Sequence, residues 1–190
     1  MATAFFDSIG FDKKDYTGEI FESGNYDTCT FNGCNFSGCD ISGSSFTDCV
    51  FEDCNLSLAN LNKTAIKTVA FKNCKMLGIR FDQCNTFLFE ATFEGCSLNL
   101  SSFYRLKIKK MPFVDCNLTE VDFTEADLTG AIFRNCDLHL ALFDNTILEK
   151  ADLSSAVNYS INPDNNHIYK AKFAYPAVLN LLDKYQLEIL

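Results

Sequence analysis

The sequence contains no tryptophan, only three prolines and two histidines, and no long unbroken run of apolar residues. So little proline, together with 47% apolar residues, excludes a polyproline-rich or disordered chain and fits a single domain with a sizeable core. With His139 and His167 alone, and no CxxC or Cys/His cluster, histidine catalysis and a zinc site lack raw material. No segment approaches the roughly 18 apolar residues of a membrane span. The opening MATAFFDSIGFDKKDY has no basic stretch leading into an apolar run. Basic charge is also scarce: 16 Lys and Arg against 25 Asp and Glu give a net charge of -9. That balance disfavours direct contact with nucleic acid or an anionic membrane and leaves room for a basic partner. The expectation is a soluble, cytoplasmic protein without metal or cofactor, in a compartment where thiols stay reduced.

What is abundant is phenylalanine, with 19, and cysteine, with ten. Both fall on a five-residue period. Every fifth residue from Phe6 to Phe81 is apolar, and after a two-residue slip at 84–88 the series resumes at Leu88 and runs through Phe93, Leu98 and Phe103 to Leu153. Thirty such positions would arise by chance roughly once in 10^10 trials. Five fits neither the helical period of 3.6 nor the strand period of 2, so each unit must turn a corner before the next inward residue. A second period of 20 sets the number of corners. Phe93, Phe113 and Phe133 form one column and Phe103, Phe123 and Phe143 another, with leucine columns between them. Four units per turn make a square tube in which aromatic rings stack offset on their neighbours. Thirty units give seven and a half coils, or about 36 Å at the usual strand spacing.

Three thiols in CTFNGCNFSGCD (29–40) raise the choice between metal ligation, disulfides and packing. All ten cysteines sit two residues before a central position, in a slot shared with alanines such as Ala59, Ala126 and Ala141 and with Ser44, Ser101 and Thr64. A residue that interchanges with alanine and serine at an inward position behaves as a small buried hydrophobe. Packing is therefore the expected role.

The units ADLTG (126–130), ADLSS (151–155), CNFSG (34–38), CNLTE (116–120) and CDLHL (136–140) resemble the pentapeptide repeat family, whose pattern is A(D/N)LXX. The resemblance covers residues 6–153. It implies an all-β fold, a right-handed quadrilateral β-helix, here with a short C-terminal helix and strand as a cap. The expected division is a β-helix over 1–160 and a terminal unit with a capping and dimerising helix over 161–190.

No catalytic constellation accompanies the repeat. His139 follows a central leucine and should point outward, and neither a glycine-rich phosphate loop nor HExxH is present. The protein is read as a non-enzyme. Charge is banded instead: ten acids against two lysines in residues 1–60, nine basic residues against three acids in 61–110, and nine acids against two basic residues in 111–153. The tail, YPAVLNLLDKYQLEIL, changes period. Pro176 suits a helix start, Val178, Leu179, Leu182 and Tyr185 share a helical face, and Leu187 and Ile189 alternate like a strand.

The tail and the mid-chain slip resemble the Qnr-type pentapeptide repeat proteins of fluoroquinolone resistance. That resemblance implies a homodimer joined tail to tail, which mimics DNA and binds and protects DNA gyrase or topoisomerase IV. By position, Leu179, Leu182, Tyr185, Leu187 and Ile189 would form the dimer contact. Asp115, Glu120, Asp122, Glu125, Asp127, Asp137 and Asp144 would form the acidic partner surface. The alternative is a non-enzymatic binding scaffold with another partner.

Overall fold

The computed structural model of the protein describes residues 4–188. The chain coils in a right-handed, four-faced β-helix of about seven turns. On the first face the strands Ala4–Asp7, Gly24–Asp27, Ser45–Thr47 and Ala65–Lys67 pair in parallel. On the second, seven strands run from Gly10–Asp12 through Val69–Lys72 and Ala91–Glu94 to Ile132–Arg134. The third and fourth faces are tight turns joined by single bridges. One series links Asn35, Asn55, Lys75, Ser97, Asn117 and Asp137, and another links Arg80, Ser102, Asp122 and Leu142.

The register puts like residues on top of each other. Phe11, Phe31, Phe51 and Phe71 pair at intervals of 20, as do Phe93, Phe113 and Phe133. Their rings stack with centroids 4.6 to 5.4 Å apart. On the fourth face Phe103, Phe123 and Phe143 repeat the arrangement at 5.4 and 5.3 Å. Rings of the opposite second and fourth faces meet edge to face across the tube, Phe103 against Phe113 at 5.6 Å and 87°. The tube is thus filled by an alternation of stacked and T-shaped contacts, both favourable geometries for ring quadrupoles.

All ten cysteines are buried and free, as the slot argument requires. Eight of the ten follow a corner that leaves a strand, whereas Cys39 and Cys84 follow tight corners and donate their own N–H to Phe36 O at 2.9 Å and Phe81 O at 3.0 Å. Where the corner is tight, the slot residue's own N–H donates to the central carbonyl three residues back: Ala59 to Leu56, Ala126 to Phe123, Ala141 to Leu138 and Ala151 to Leu148, each near 3.0 Å. Corners that leave a strand lack that bond, and their slot is mostly cysteine. The central carbonyl then accepts from the thiol one coil later. Cys54 Sγ donates to Phe31 O at 3.3 Å, Cys74 to Phe51 O at 3.4 Å, Cys96 to Phe71 O at 3.4 Å, Cys116 to Phe93 O at 3.5 Å and Cys136 to Phe113 O at 3.4 Å. Thr64 and Thr146 make the equivalent bond with their hydroxyls, to Ile41 O and Phe123 O. Buried carbonyls need donors, and a small thiol supplies one without opening the core.

The slip departs from the expected register. Pairing is 20 residues apart at Ala65 and Asn85, but 22 apart at Val69 and Ala91. The two extra residues therefore lie on the first face, within 86–90. Leu88, expected in the inward column, is 63% exposed with φ 59°, and Phe89 packs against the core instead, edge-on to Phe81 at 6.2 Å. Parallel pairing continues past residue 160, with Ile147 bridged to His167 and Asp152 to Lys172. Asn166 fills a slot there, donating to Phe143 O at 3.0 Å while its own oxygen accepts from Thr146 N–H at 2.9 Å. The terminal helix, Ala177–Tyr185, is of the 3-10 type and lays Ala177 and Leu181 on the last coil. Residues 187 and 188 are not in a strand, and Ile189 lies outside the described residues.

Two consequences are measurable. Phe123→Ala, in the middle of its stack, should lower unfolding free energy by about 3 to 5 kcal/mol, whereas Thr124→Ala, one residue outward, should be near neutral; comparable losses in urea titrations would refute the register. Burial pushes the Cys49 thiol up to about 11 and the Cys84 thiol up to about 12. A thiol-reactive dye at pH 8 should therefore label the native protein very slowly and all ten cysteines only after denaturation. Rapid native labelling of several would contradict the packing.

Candidate partner-binding surface

Position within the five-residue unit fixes where each acid goes. The residue before a central position and the residue after it face outward on a flat side, and the second residue after it occupies a corner. Applied to the seven acids, Asp127 falls on the first face, Asp137 on the third, and Asp122 and Asp144 on the fourth. Asp115, Glu120 and Glu125 occupy three successive corners, with φ of 53°, 58° and 56°. The structure does not gather them into one patch. They form a belt around the rod over about two coils.

Several of these carboxylates also serve the fold. Asp122 accepts the Thr124 N–H at 2.9 Å, Asp127 the Thr129 N–H at 3.2 Å and Asp137 the His139 N–H at 3.1 Å. These are Asx turns, and Asn35, Asn55, Asn60 and Asn117 make the same bond elsewhere. Neighbouring coils supply further partners. Asp115 accepts from Asn135 Nδ2 at 2.9 Å, and Asp137 from Asn158 Nδ2 at 2.9 Å. Arg105 grips Glu125 with two bonds, at 2.7 and 3.1 Å, and Lys109 meets Asp127 at 3.0 Å.

These contacts set the titration of the belt. Hydrogen bonding from Arg105 holds the Glu125 carboxyl below its ordinary value. Partial burial pushes Asp127 up, but the Thr129 hydroxyl and Lys109 outweigh it and leave the group below the ordinary range. Asp152 is lowered by Ser154 and Lys172. Glu125 and Asp127 are thus partly neutralised from the basic band, while Glu120, Asp137 and Asp144 make no ion pair among the described residues.

The basic band has its own address, which the linear sequence does not reveal. Lys67, Lys107 and Lys109 lie on the first face, and Lys63, Arg105 and Lys110 on the corners beside it, around the slip. Lys72, Lys75 and Arg80 fall one to each of the other three faces. A cleft of 220 Å³ lined by Thr86, Phe89, Arg105, Leu106 and Lys107 marks the interruption.

At the C-terminal end the helix presents a second surface. Its inward side carries Ala177 and Leu181, and Leu179, Leu182, Asp183, Gln186 and Leu187 line a shallow groove of 320 Å³ on the outside. Leu179 and Leu182 are half-buried, and Tyr185 and Leu187 are exposed. Four of the five residues expected at a dimer contact are therefore at one end of the rod, and the fifth, Ile189, is outside the described residues. His139 and His167 are exposed. Among the described residues no helix is long and apolar enough to cross a membrane.

The profile of the pentapeptide repeat region matches residues 24–87 and 86–157. Full-length QnrB1, described as a plasmid-mediated fluoroquinolone resistance protein, superposes with a TM-score of 0.58 at 14% identity, over 97% of this chain and 100% of that one. A trypsin-treated variant of QnrB1 gives 0.60 at 18% identity, over 98% and 92%. At such identities the likeness is one of fold. No curated protein sequence matches the chain.

The lowered carboxyls make a directional prediction. Groups whose folded values lie below their unfolded ones stabilise the protein above about pH 4, and that contribution is lost as pH falls through the lowered values. Thermal melts should be flat between pH 8 and pH 5 and drop below about pH 4. Asp127→Asn keeps an acceptor for Thr129 N–H, so it should change the neutral melt little and make the acid decline shallower. A melting temperature that rises on acidification would overturn the assignment.

Proposed function

Because the chain belongs to the pentapeptide repeat family, we propose that it is a non-enzymatic, dimeric DNA mimic that binds a type II topoisomerase, DNA gyrase or topoisomerase IV, and protects it from fluoroquinolones. The observation that carries this reading is the carboxylate belt. Residues 111–153 hold nine acids and two basic residues, a net of seven negative charges over about 10 Å of rod. That is one charge per roughly 1.5 Å, against one per about 1.7 Å for duplex DNA. Ion pairs of Glu125, Asp127 and Asp152 with Arg105, Lys109 and Lys172, outside the segment, dilute it to about one per 2.5 Å. A belt suits a basic saddle better than a patch would, since DNA is charged all round.

The apolar outer side of the terminal helix supports tail-to-tail pairing, which would set two belts on either side of a common centre. A binding scaffold for another partner is the second reading, and it is favoured by the basic residues that interrupt the belt's charge on the first face.

Gyrase supercoiling with purified protein, with and without a fluoroquinolone, decides between them. Low micromolar protein should inhibit the free enzyme or restore the poisoned one. Glu120→Lys, Asp137→Lys and Asp144→Lys together should weaken the effect at least tenfold. On size exclusion the wild type should elute as a dimer and a Leu182→Asp, Leu187→Asp double variant as a monomer. No effect on either topoisomerase transfers the function to another partner.

A further inference from the structure

One corner of the rod carries exposed leucines where the backbone favours glycine. Leu58, Leu100 and Leu140 stand between the third and fourth faces with φ of 59°, 60° and 55°, and they are 65%, 54% and 61% exposed. Hydrogen bonds from Leu58 N–H to Leu77 O, Gly78 N–H to Asn99 O, Leu100 N–H to Thr119 O and Glu120 N–H to His139 O stack the corner in order: Leu58, Gly78, Leu100, Glu120, Leu140. Left-handed backbone is unfavourable for a bulky side chain, and glycine adopts it freely, as Gly38 and Gly78 do on this corner. The leucines contribute nothing to the core. Folding and solubility would both be better served by glycine, so the three positions point to contact with something outside the chain.

Their spacing describes that contact. Successive leucines are two coils apart, about 9.6 Å at the usual strand separation. Seven residues of α-helix advance about 10.5 Å, and a helix crossing the ridge at roughly 20 to 25° projects close to 9.6 Å, within the ordinary range of packing angles. Apolar side chains at every seventh position would then meet Leu58, Leu100 and Leu140 in turn. Leu77 and Leu142, both exposed, widen the ridge, and a depression of 380 Å³ opens beside Leu100, lined by Ser102, Tyr104 and Asp122. Gly78 leaves the gap into which Leu58 leans, since a Cβ there would lie 2.9 Å from Leu58 Cδ2.

Charge selects the sign of the helix. Asp40 and Asp122 on the fourth face, Asp137 on the third and Glu120 on the ridge itself surround the leucines. The cations alongside are Arg80, which is paired with Asp82 at 2.7 Å, and Lys75. A helix laid here must carry lysine or arginine beside its apolar stripe.

We propose that this corner docks a basic amphipathic α-helix of a partner protein, with an apolar residue at every seventh position over at least three repeats. The corner shares Glu120, Asp122 and Asp137 with the carboxylate belt, but the leucines are its own and its test contains no topoisomerase. The probe is a fluorescein-labelled synthetic helix with leucine at every seventh position flanked by lysine, followed by anisotropy. A control peptide has the same composition with leucine at every fifth position.

The wild type should bind the first peptide at least tenfold more tightly than the control. A Leu58→Gly, Leu100→Gly, Leu140→Gly variant should retain or raise the melting temperature, because each φ suits glycine, and should lose at least tenfold in affinity for the first peptide. Glu120→Lys, a single exposed change, should weaken binding threefold or more and serves as the deciding variant if the triple variant melts early. No binding, equal binding of the control peptide, or undiminished binding by the folded leucine-less or charge-reversed variant overturns the proposal.

Discussion

Each coil turns two side chains inward from each face, a central residue and a slot residue, and a carbonyl facing that packed interior must find its donor within the protein. This accounting governs the rest of the structure. On the tight faces the turn closes on itself, the slot residue's backbone N–H does the work, and alanine suffices. On the strand faces the turn stays open, and a side chain one coil later adds a donor to those of the parallel ladder. Cysteine is small enough for the slot and reaches the carbonyl; on the tight fourth face the Thr64 and Thr146 hydroxyls add a second donor to Ile41 O and Phe123 O, which already accept Ser44 N–H and Ala126 N–H. The six-membered column Cys34, Cys54, Cys74, Cys96, Cys116 and Cys136 thus runs along one edge of the second sheet as a series of coil-to-coil bonds. Removing one would forfeit a single coil-to-coil bond, at a cost of about 1 kcal/mol.

The same accounting separates charge from folding on the outside. Before a central residue of a tight turn, either Asp or Asn can accept the N–H two residues on, and both occur: Asn117 and Asp137 occupy one position in successive coils with bonds of 3.0 and 3.1 Å. The fold needs the acceptor and is indifferent to its charge. Asp15 and Asp40 in the N-terminal coils and Asp122, Asp127, Asp137 and Asp152 in the C-terminal ones, at a position that Asn35, Asn55, Asn60 and Asn117 also fill, are therefore a property of the surface beyond what folding requires. This is what supports the partner-binding role proposed for the carboxylate belt despite its structural duties.

Much of the fold was legible because the five- and twenty-residue periods are set by the interior, where substitution is most constrained. The Phe103, Phe123 and Phe143 column and the buried slots lie where periodicity put them. The corner type was only partly legible: most cysteines mark corners that leave a strand, but Cys39 and Cys84 stand at tight ones. Leu88 was misplaced because periodicity assigns the nearest apolar residue after an insertion, whereas packing chose Phe89, whose larger ring reaches the core from an irregular backbone. The acids could be grouped along the chain but not around it. A band in sequence becomes a belt in space as soon as each unit turns a right angle. The leucine corner escaped notice for the same reason, since its members are 42 and 40 residues apart and only coil stacking aligns them.

The slip shows how strongly the columns resist disturbance. Two extra residues could have bulged at any corner, but the second, third and fourth faces all resume stacking with a single 22-residue step, as at Phe71 and Phe93, Lys75 and Ser97, and Arg80 and Ser102. Only the first face loses its sheet: its last strand is Ala65–Lys67, and beyond the slip it is held by single bridges such as Lys107 to Asp127. The second face keeps its Phe ladder through the same level, and the fourth its stacked Phe81 and Phe103 at 4.6 Å. An irregularity is best tolerated where its neighbours are aliphatic and forfeit no ring stacking, and the first face offers Ile66 above and Ile108 below. The basic residues gather on this same face. One side of the rod is thereby set apart in both backbone and charge, while on the other three faces the stacking, and hence the spacing of the carboxylates they carry, is unbroken.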